Sequence, residues 1–438
     1  MNKKTYLALA VCLSMAGAAG AQQRDGGISS DMLRSMQQAH AAVPSAKAIF
    51  NAMASNKIDD IAVNFANQGA IDTYFSDETP KQSIHDQQSS GRCWMFSGFN
   101  VLRADFAKRH ADSLAVEFSH NYLFFYDQLE KANLMLQGVI DHAGEPMDSE
   151  RVRFFFKNPL NTSKMSSLLS SKLREFGLEL RKMVADGKKN DAIKARKTEM
   201  LSTIYNMLCL TLGEPVKEFT YTFKTKDGKP VGQPRKYTPK EFYEATVGGP
   251  VSGSFIMVMN DPRREYYKTY EVEYDRHTYD GQNWKYLNLP MDDIERLAIA
   301  SIKDGRKMYS SYDVGKQLDR KRGYLDTENY DYGSLLGTTF GMDKAERIST
   351  YDSGSTHAMT LTAVDLDENG KAKKWKVENS WGASYGQAGC LIMSDRWFRE
   401  YMFRLVVDKK YVPAGMLKQY EQKPVMVMPE DPLFSTDD

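Results

Sequence analysis

Cys93 follows a polar, glycine-containing turn, Gln87-Gln88-Ser89-Ser90-Gly91-Arg92, and heads the apolar run Trp94-Met95-Phe96. A thiol attacks as its thiolate, so something must lower its pKa; a helix N-terminus does this through unpaired N–H groups and the macrodipole, and an adjacent imidazolium does more. Trp94, Phe96, Phe99, Val101 and Leu102 predict a largely buried helix that begins at the cysteine. Six residues upstream, the Gln87 amide and the Cys93 N–H make two donors for a developing oxyanion. Taken alone, a cysteine in such a turn is equally well a small buried hydrophobe.

A second stretch bears on that choice. Thr356 to Val364 alternates like a half-buried strand, Asp367-Glu368-Asn369-Gly370 supplies a hairpin turn, and Trp375 to Gly382 reads as the returning strand. The hairpin predicts His357 beside Asn379. An amide partner fixes the imidazole tautomer without adding charge, leaves the other ring nitrogen for a thiol, and suits a resting thiolate and imidazolium pair.

Gln87 with Cys93-Trp94, His357 on a strand and Asn379-Ser380-Trp381-Gly382 together resemble the papain-like cysteine peptidases. Ser90-Gly91-Arg92-Cys93-Trp94, Ser355-Thr356-His357-Ala358-Met359-Thr360 and Val377-Glu378-Asn379-Ser380-Trp381-Gly382 resemble the bleomycin hydrolase and aminopeptidase C branch, as do Asn260-Asp261-Pro262-Arg263 and Asp313-Val314-Gly315-Lys316. The resemblance runs from about residue 45 to the end. It implies an α+β, two-lobed fold, a helical lobe plus a strand-rich lobe, with a helical insertion and terminal extensions. It implies Cys93 as nucleophile, His357 as acid and base, Asn379 as its orienting partner and Gln87 in the oxyanion site; Trp381 is expected either to shield His357 and Asn379 or to be an ordinary core aromatic. It also implies a C-terminal tail whose last carboxylate, on Asp438, meets the substrate amine, and a homo-hexamer. The Gly-Gly-aromatic stretch that relatives carry after an Asn-Pro-x-Asn segment is absent after Asn161.

The chain has 438 residues and a formal charge of +1, so nothing electrostatic points to nucleic acid. Lys3 and Lys4, the apolar run Leu7–Ala16 and Ala19-Gly20-Ala21 form a cleavable signal of bacterial type, which predicts an exported protein, periplasmic or extracellular. Lipid attachment at Cys12 is the alternative, and Val11 disfavours it. No later stretch is long and apolar enough to span a bilayer. Cys93, Cys209 and Cys390 remain after cleavage; their spacing suggests neither a disulfide framework nor a metal site, and no cofactor is expected.

The predicted organisation is a signal at 1–21, an arm at 22–80, a helical lobe at 81–161 and a helical insertion with hairpin at 162–245. A strand-rich lobe at 246–420 and a tail at 421–438 complete it. Within the insertion, Leu168, Leu169, Leu173, Phe176, Leu178 and Leu180 are expected on one apolar side. Met291–Lys303 is expected as a helix, Arg404–Asp408 as the last strand, and His120 as a hydrogen-bonded structural histidine. The expected function is an exported cysteine aminopeptidase acting on peptides through a thioester. The alternatives are a broad papain-like endopeptidase and a catalytically impaired binding protein.

Overall fold

Thr, Val, Leu and Met fill the segment His357–Leu366, and every residue but the last is buried. A strand covered on both faces belongs in the middle of a sheet. The computed structural model, which describes residues 26–69, 71–111, 113–157, 159–160, 167–249 and 251–434, places it there. The strands are β1 (Asp77–Glu78), β2 (Leu114–Ala115), β3 (Phe219–Thr225), β4 (Pro230–Tyr237), β5 (Phe255–Met259), β6 (Lys268–Val272), β7 (Lys285–Asn288), β8 (Met308–Tyr312), β9 (Leu318–Asp319), β10 (Tyr324–Leu325), β11 (His357–Leu366), β12 (Ala372–Glu378), β13 (Cys390–Ser394), β14 (Met402–Asp408) and β15 (Val425–Val427). Twelve form one sheet in the order β15-β6-β7-β5-β14-β8-β11-β12-β13-β10-β9, with β1 also pairing β11; β2, β3 and β4 form a second, small sheet. Arg404–Asp408 is thus not the last strand: the extended stretch after Pro424 pairs in parallel with β6.

Five helices position the site: α1 (Cys93–Arg109), α2 (His120–Asp141), α3 (Ser167–Ala185), α4 (Asn190–Leu212) and α5 (Met291–Lys303). Ile294, Leu297, Ala298 and Ile302 recur at helical spacing, and α5 buries all four in a core shared with Met359 and Leu361 of β11. Next to those two, Thr360 donates to the Ser97 carbonyl of α1 at 3.3 Å, so β11 ties α1 to the sheet.

The helices α2, α3 and α4 share a separate core of Met135, Leu136, Val139, Leu173, Phe176, Leu180, Met200, Ile204 and Leu208. The apolar side expected for α3 needs correction. Leu169, Leu173, Phe176 and Leu180 are buried, whereas Leu168 and Leu178 are 77% and 54% exposed. Only the first four keep the spacing of a helix stripe; the other two lie off it.

By internal contacts, residues 1–63 with 331–338 form one unit and residues 64–330 with 339–438 another. The described part of the first comprises helices Ser30–Ala41, Ala46–Met53, Ile58–Ala62 and Tyr332–Leu336. They are tied by Tyr332 Oη to Asp59 (2.7 Å) and Asp331 N to the Ala62 carbonyl (2.7 Å). The segment from Asn64 to Pro80, expected as part of the arm, falls in the second unit, where β1 pairs β11. No helix among the described residues is long and apolar enough to cross a membrane.

One glycine carries a testable constraint. A Cβ at Gly138 of α2 would stand 2.1 Å from the ring of Phe155, which is buried against Phe154 and Tyr274. Alanine would gain about 1 kcal/mol in helix propensity, but the overpacking costs about 1–3 kcal/mol or more, and the clash wins. Gly138→Ala is expected to lower the thermal unfolding midpoint, and a second change, Phe155→Leu, to restore part of the loss.

Candidate active site

Cys93 is the first residue of α1. The turn before it is shaped by two left-handed residues, Gln88 (φ 54°) and Gly91 (φ 66°). Asp86 accepts from the Gln88 backbone N–H at 2.7 Å, and the Ser90 hydroxyl donates to the Gln87 carbonyl at 2.6 Å. Ser90 makes no capping bond. The N-cap is Arg92, whose side chain makes no capping bond; its guanidinium takes Ser90 Oγ (2.8 Å) and Asn121 Oδ1 (2.9 Å) instead. The N-cap residue thus supplies no oxygen to the positive end of the helix where the sulfur sits. None of Cys93, Cys209 and Cys390 is in a disulfide, and burial pushes the Cys390 thiol up to about 11, a poor nucleophile.

The predicted hairpin is present. β11 and β12 pair antiparallel, with Thr360 opposite Glu378, around a turn in which Gly370 has φ 76°. That register brings His357 Nε2 to 2.8 Å from Asn379 Oδ1. The ring donates from Nε2, which leaves Nδ1 for a thiol. Asn379 Oδ1 also accepts from the Ser380 N–H at 2.7 Å, while Asn379 Nδ2 is buried without a hydrogen-bond partner among the described residues. Trp381 lies over His357, with ring centroids 4.8 Å apart and planes at 33°. Burial pushes the His357 pKa down to about 4, against the smaller raising effect of the Asn379 bond. The ring's hydrogen-bonding partner, Asn379, carries no charge, so an imidazolium here draws on the sulfur and the two ionisations are coupled.

Gln87 is joined to the same hairpin end. Its N–H donates to the Ser380 carbonyl at 2.8 Å, and its Oε1 accepts from Ser380 Oγ at 2.7 Å. The Nε2 amino group has no partner among the described residues. Cys93, Gln87 and His357 all line one cavity of about 630 Å³, shared with Trp94, Ser355, Trp284 and Arg404. Uncapped helix, oriented imidazole and outward amide are the parts that nucleophilic attack on a carbonyl requires.

Several supporting residues escaped the sequence reading. Lys307 pairs with Glu378, both buried, at the strand end that carries Asn379. Lys307 stands beside Arg306 just ahead of β8, where nothing in the sequence marks it for burial. Asp86 bridges to Trp381 through the backbone, a contact that no motif announces. His120 differs from expectation: it stacks on Phe96 (centroids 3.9 Å) and meets Phe99 edge-on (5.0 Å), and makes no hydrogen bond among the described residues. Its pKa falls to about 4, with burial the largest cause. Asp438, the residue expected to hold the substrate amine, lies outside the described residues, as do the segment after Asn161 and the predicted signal.

The titration of the two histidines has a sign. Each holds fewer protons folded than unfolded below the ordinary value of 6.5, so stability is full above about pH 6.5 and falls as pH drops toward about 4. His357 accounts for at most roughly 3 kcal/mol of that fall. Equilibrium unfolding of wild type and His357→Gln between pH 4 and pH 8 measures it: the variant is expected to lose less stability on acidification.

The family model for the Peptidase C1-like family matches residues 27–162 and 158–434. Bleomycin hydrolase of Homo sapiens is 36% identical over 416 residues, 85% of this chain and 91% of the relative. Aminopeptidase C of Lactobacillus delbrueckii subsp. lactis is 32% identical over 419 residues, 87% and 92% of the two chains. The crystal structure of PepW from Lactobacillus rhamnosis HN001 superposes with a TM-score of 0.85 at 34% identity, over 93% of this chain and 99% of that one. The chain therefore belongs to the Peptidase C1-like family, among the cysteine peptidases of the bleomycin hydrolase and aminopeptidase C branch.

Proposed function

We propose that this chain is a cysteine aminopeptidase that removes N-terminal residues from peptides through a thioester. The observation that carries the reading is that the His357–Asn379 pair and the head of an uncapped helix at Cys93 open on one cavity. In the proposed cycle the Cys93 thiolate attacks the scissile carbonyl and Gln87 Nε2 with the Cys93 N–H holds the oxyanion. His357 then protonates the leaving amine and activates the hydrolytic water. Asn379 keeps the imidazole in register, and Trp381 excludes water from their hydrogen bond. The two-lobed, papain-like description is part of this proposal, with α1 and α2 on one side of the cleft and β8, β11 and β14 on the other.

Restriction to the N-terminus is supported by the tail. Glu430 is held by Arg153 (2.7 Å), and Asp431 is held by Arg263 (2.7 Å) and Arg264 (2.5 Å). The Leu433 carbonyl accepts from the Ser355 N–H at 3.2 Å, two residues before His357. Phe434 lies under the Arg404 guanidinium (5.1 Å), and both Ser355 and Arg404 line the cavity. The described chain thus ends, at Phe434, against residues of the cavity wall, which supports a tail that limits substrate length over an open endopeptidase cleft. The curated relatives include proteins named aminopeptidase C and bleomycin hydrolase. Export, resting on the sequence of residues 1–21, and a homo-hexamer, resting on the resemblance, complete the proposal.

Cys93→Ala is expected to lower kcat/KM on an aminoacyl-arylamide by about a thousandfold or more; undiminished turnover would end the proposal. A chain that stops at Phe434 is expected to cleave N-acetylated peptides that the full chain leaves intact, as followed by mass spectrometry.

A further inference from the structure

The catalytic cavity meets a second one, of about 190 Å³, and the wall common to both is Lys131, Asp275 and His277. Two of these three come from the stretch between β6 and β7, and none belongs to the proposed catalytic set. His277 lies against the indole of Trp94, the residue after Cys93, with ring centroids 4.8 Å apart. Its Nδ1 is 2.6 Å from Asp127 Oδ1, a carboxylate only 2% exposed, while His277 itself is 51% exposed. Lys131 Nζ takes the other oxygen of Asp127 at 3.2 Å and stands 5.3 Å from the Trp94 ring centre. Burial alone would push the Asp127 carboxyl up, but Lys131 and His277 outweigh it and hold the carboxyl below its ordinary range.

Charge and tautomer follow from these contacts. Lys131 is neutralised by Asp127. Arg276 stacks on Tyr274 (5.3 Å) and Tyr279 (5.6 Å) of its own loop. The Asp275 carboxylate makes no hydrogen bond or ion pair among the described residues and lines both cavities, so a ligand cation can pair with it, while the rings over Arg276 leave that side chain's own charge in place. With Nδ1 on Asp127, His277 has Nε2 left over, and in the neutral tautomer that nitrogen accepts. A carboxylate on the wall of a peptide-sized cavity, with an imidazole able to accept beside it, matches a protonated nitrogen.

We propose that Asp275 and His277 form a cation subsite of the cleft, that Asp127 positions His277 in it, and that it takes a protonated nitrogen of the bound peptide. The nitrogen is a basic side chain or the α-ammonium. This rests on the peptidase reading for its substrate, but not for its binding test.

Full-length wild type, Asp275→Asn, Asp275→Glu and His277→Ala are compared on arginyl- and norleucyl-arylamide. For a side-chain cation, Asp275→Asn is expected to raise KM about tenfold on the arginyl substrate only, with kcat within about twofold; for the α-ammonium, KM rises alike on both. His277→Ala is expected to shift KM in the same direction by less, and Asp275→Glu to restore part of the loss. Unchanged KM on both substrates, or a loss confined to kcat, overturns the subsite. Calorimetric titration of argininamide, norleucinamide and N-acetylargininamide reads it without turnover. Binding weakened by Asp275→Asn for the two arginine ligands assigns the side chain, and for the two free amines the α-ammonium. Equal binding by wild type and variant overturns the proposal even if arylamides are cleaved. If no arylamide is cleaved but the variant still binds these cations less tightly, the peptidase reading fails and the subsite stands.

Discussion

A buried imidazole whose hydrogen-bonding partner in its own hairpin is a neutral amide is the constraint on which the site depends. Burial holds His357 far below the range of an ordinary histidine, and Asn379 offsets only part of that. A carboxylate partner would favour the cation more strongly but would also repel a thiolate. With Asn379 in place, the charge that stabilises the imidazolium has to arrive from the sulfur, so ionisation of the two groups is linked across the cavity. The covering indole of Trp381 keeps the dielectric low and so keeps that linkage strong.

Much of the structure serves to hold that ring in place. A one-residue slip of β11 would carry His357 to the opposite face of the sheet, so the register decides whether the ring meets Asn379. The pairs His357–Tyr312 with β8 and Thr360–Glu378 with β12 set where the ring and its amide stand. The buried Lys307–Glu378 pair pins the end of β12 next to Asn379. A buried ion pair of this kind adds little net stability, and its use is better sought in the geometry it enforces.

The residues that carry chemistry were legible because chemistry restricts type and spacing. Cys93 after a glycine turn, His357 opening a strand and Asn379 closing its hairpin could be picked out and joined, and α5 followed from the period of Ile294, Leu297, Ala298 and Ile302. The misreadings have a common cause, that neighbours distant in the chain decide them. Leu168 and Leu178 are as apolar as Leu169 and Leu173, and only the position of α2 and α4 separates buried from exposed. His120 has no pattern that distinguishes stacking between Phe96 and Phe99 from a hydrogen bond. Asp127 and His277 are far apart in sequence and in unrelated elements, so nothing short of the fold brings them into contact.

The bond from Ser380 to Gln87 carries a consequence of direction. An amide side chain is a dipole with a donating and an accepting end, and rotation by half a turn exchanges them with hardly any change of shape. Because the Ser380 hydroxyl gives its hydrogen to Gln87 Oε1, the accepting end is occupied and the amino end is left for the cavity. Were that hydroxyl turned the other way, a carbonyl would confront the forming negative charge and repel it. One rotor, on the residue next to the imidazole's own partner, therefore fixes the polarity of the wall across the cleft.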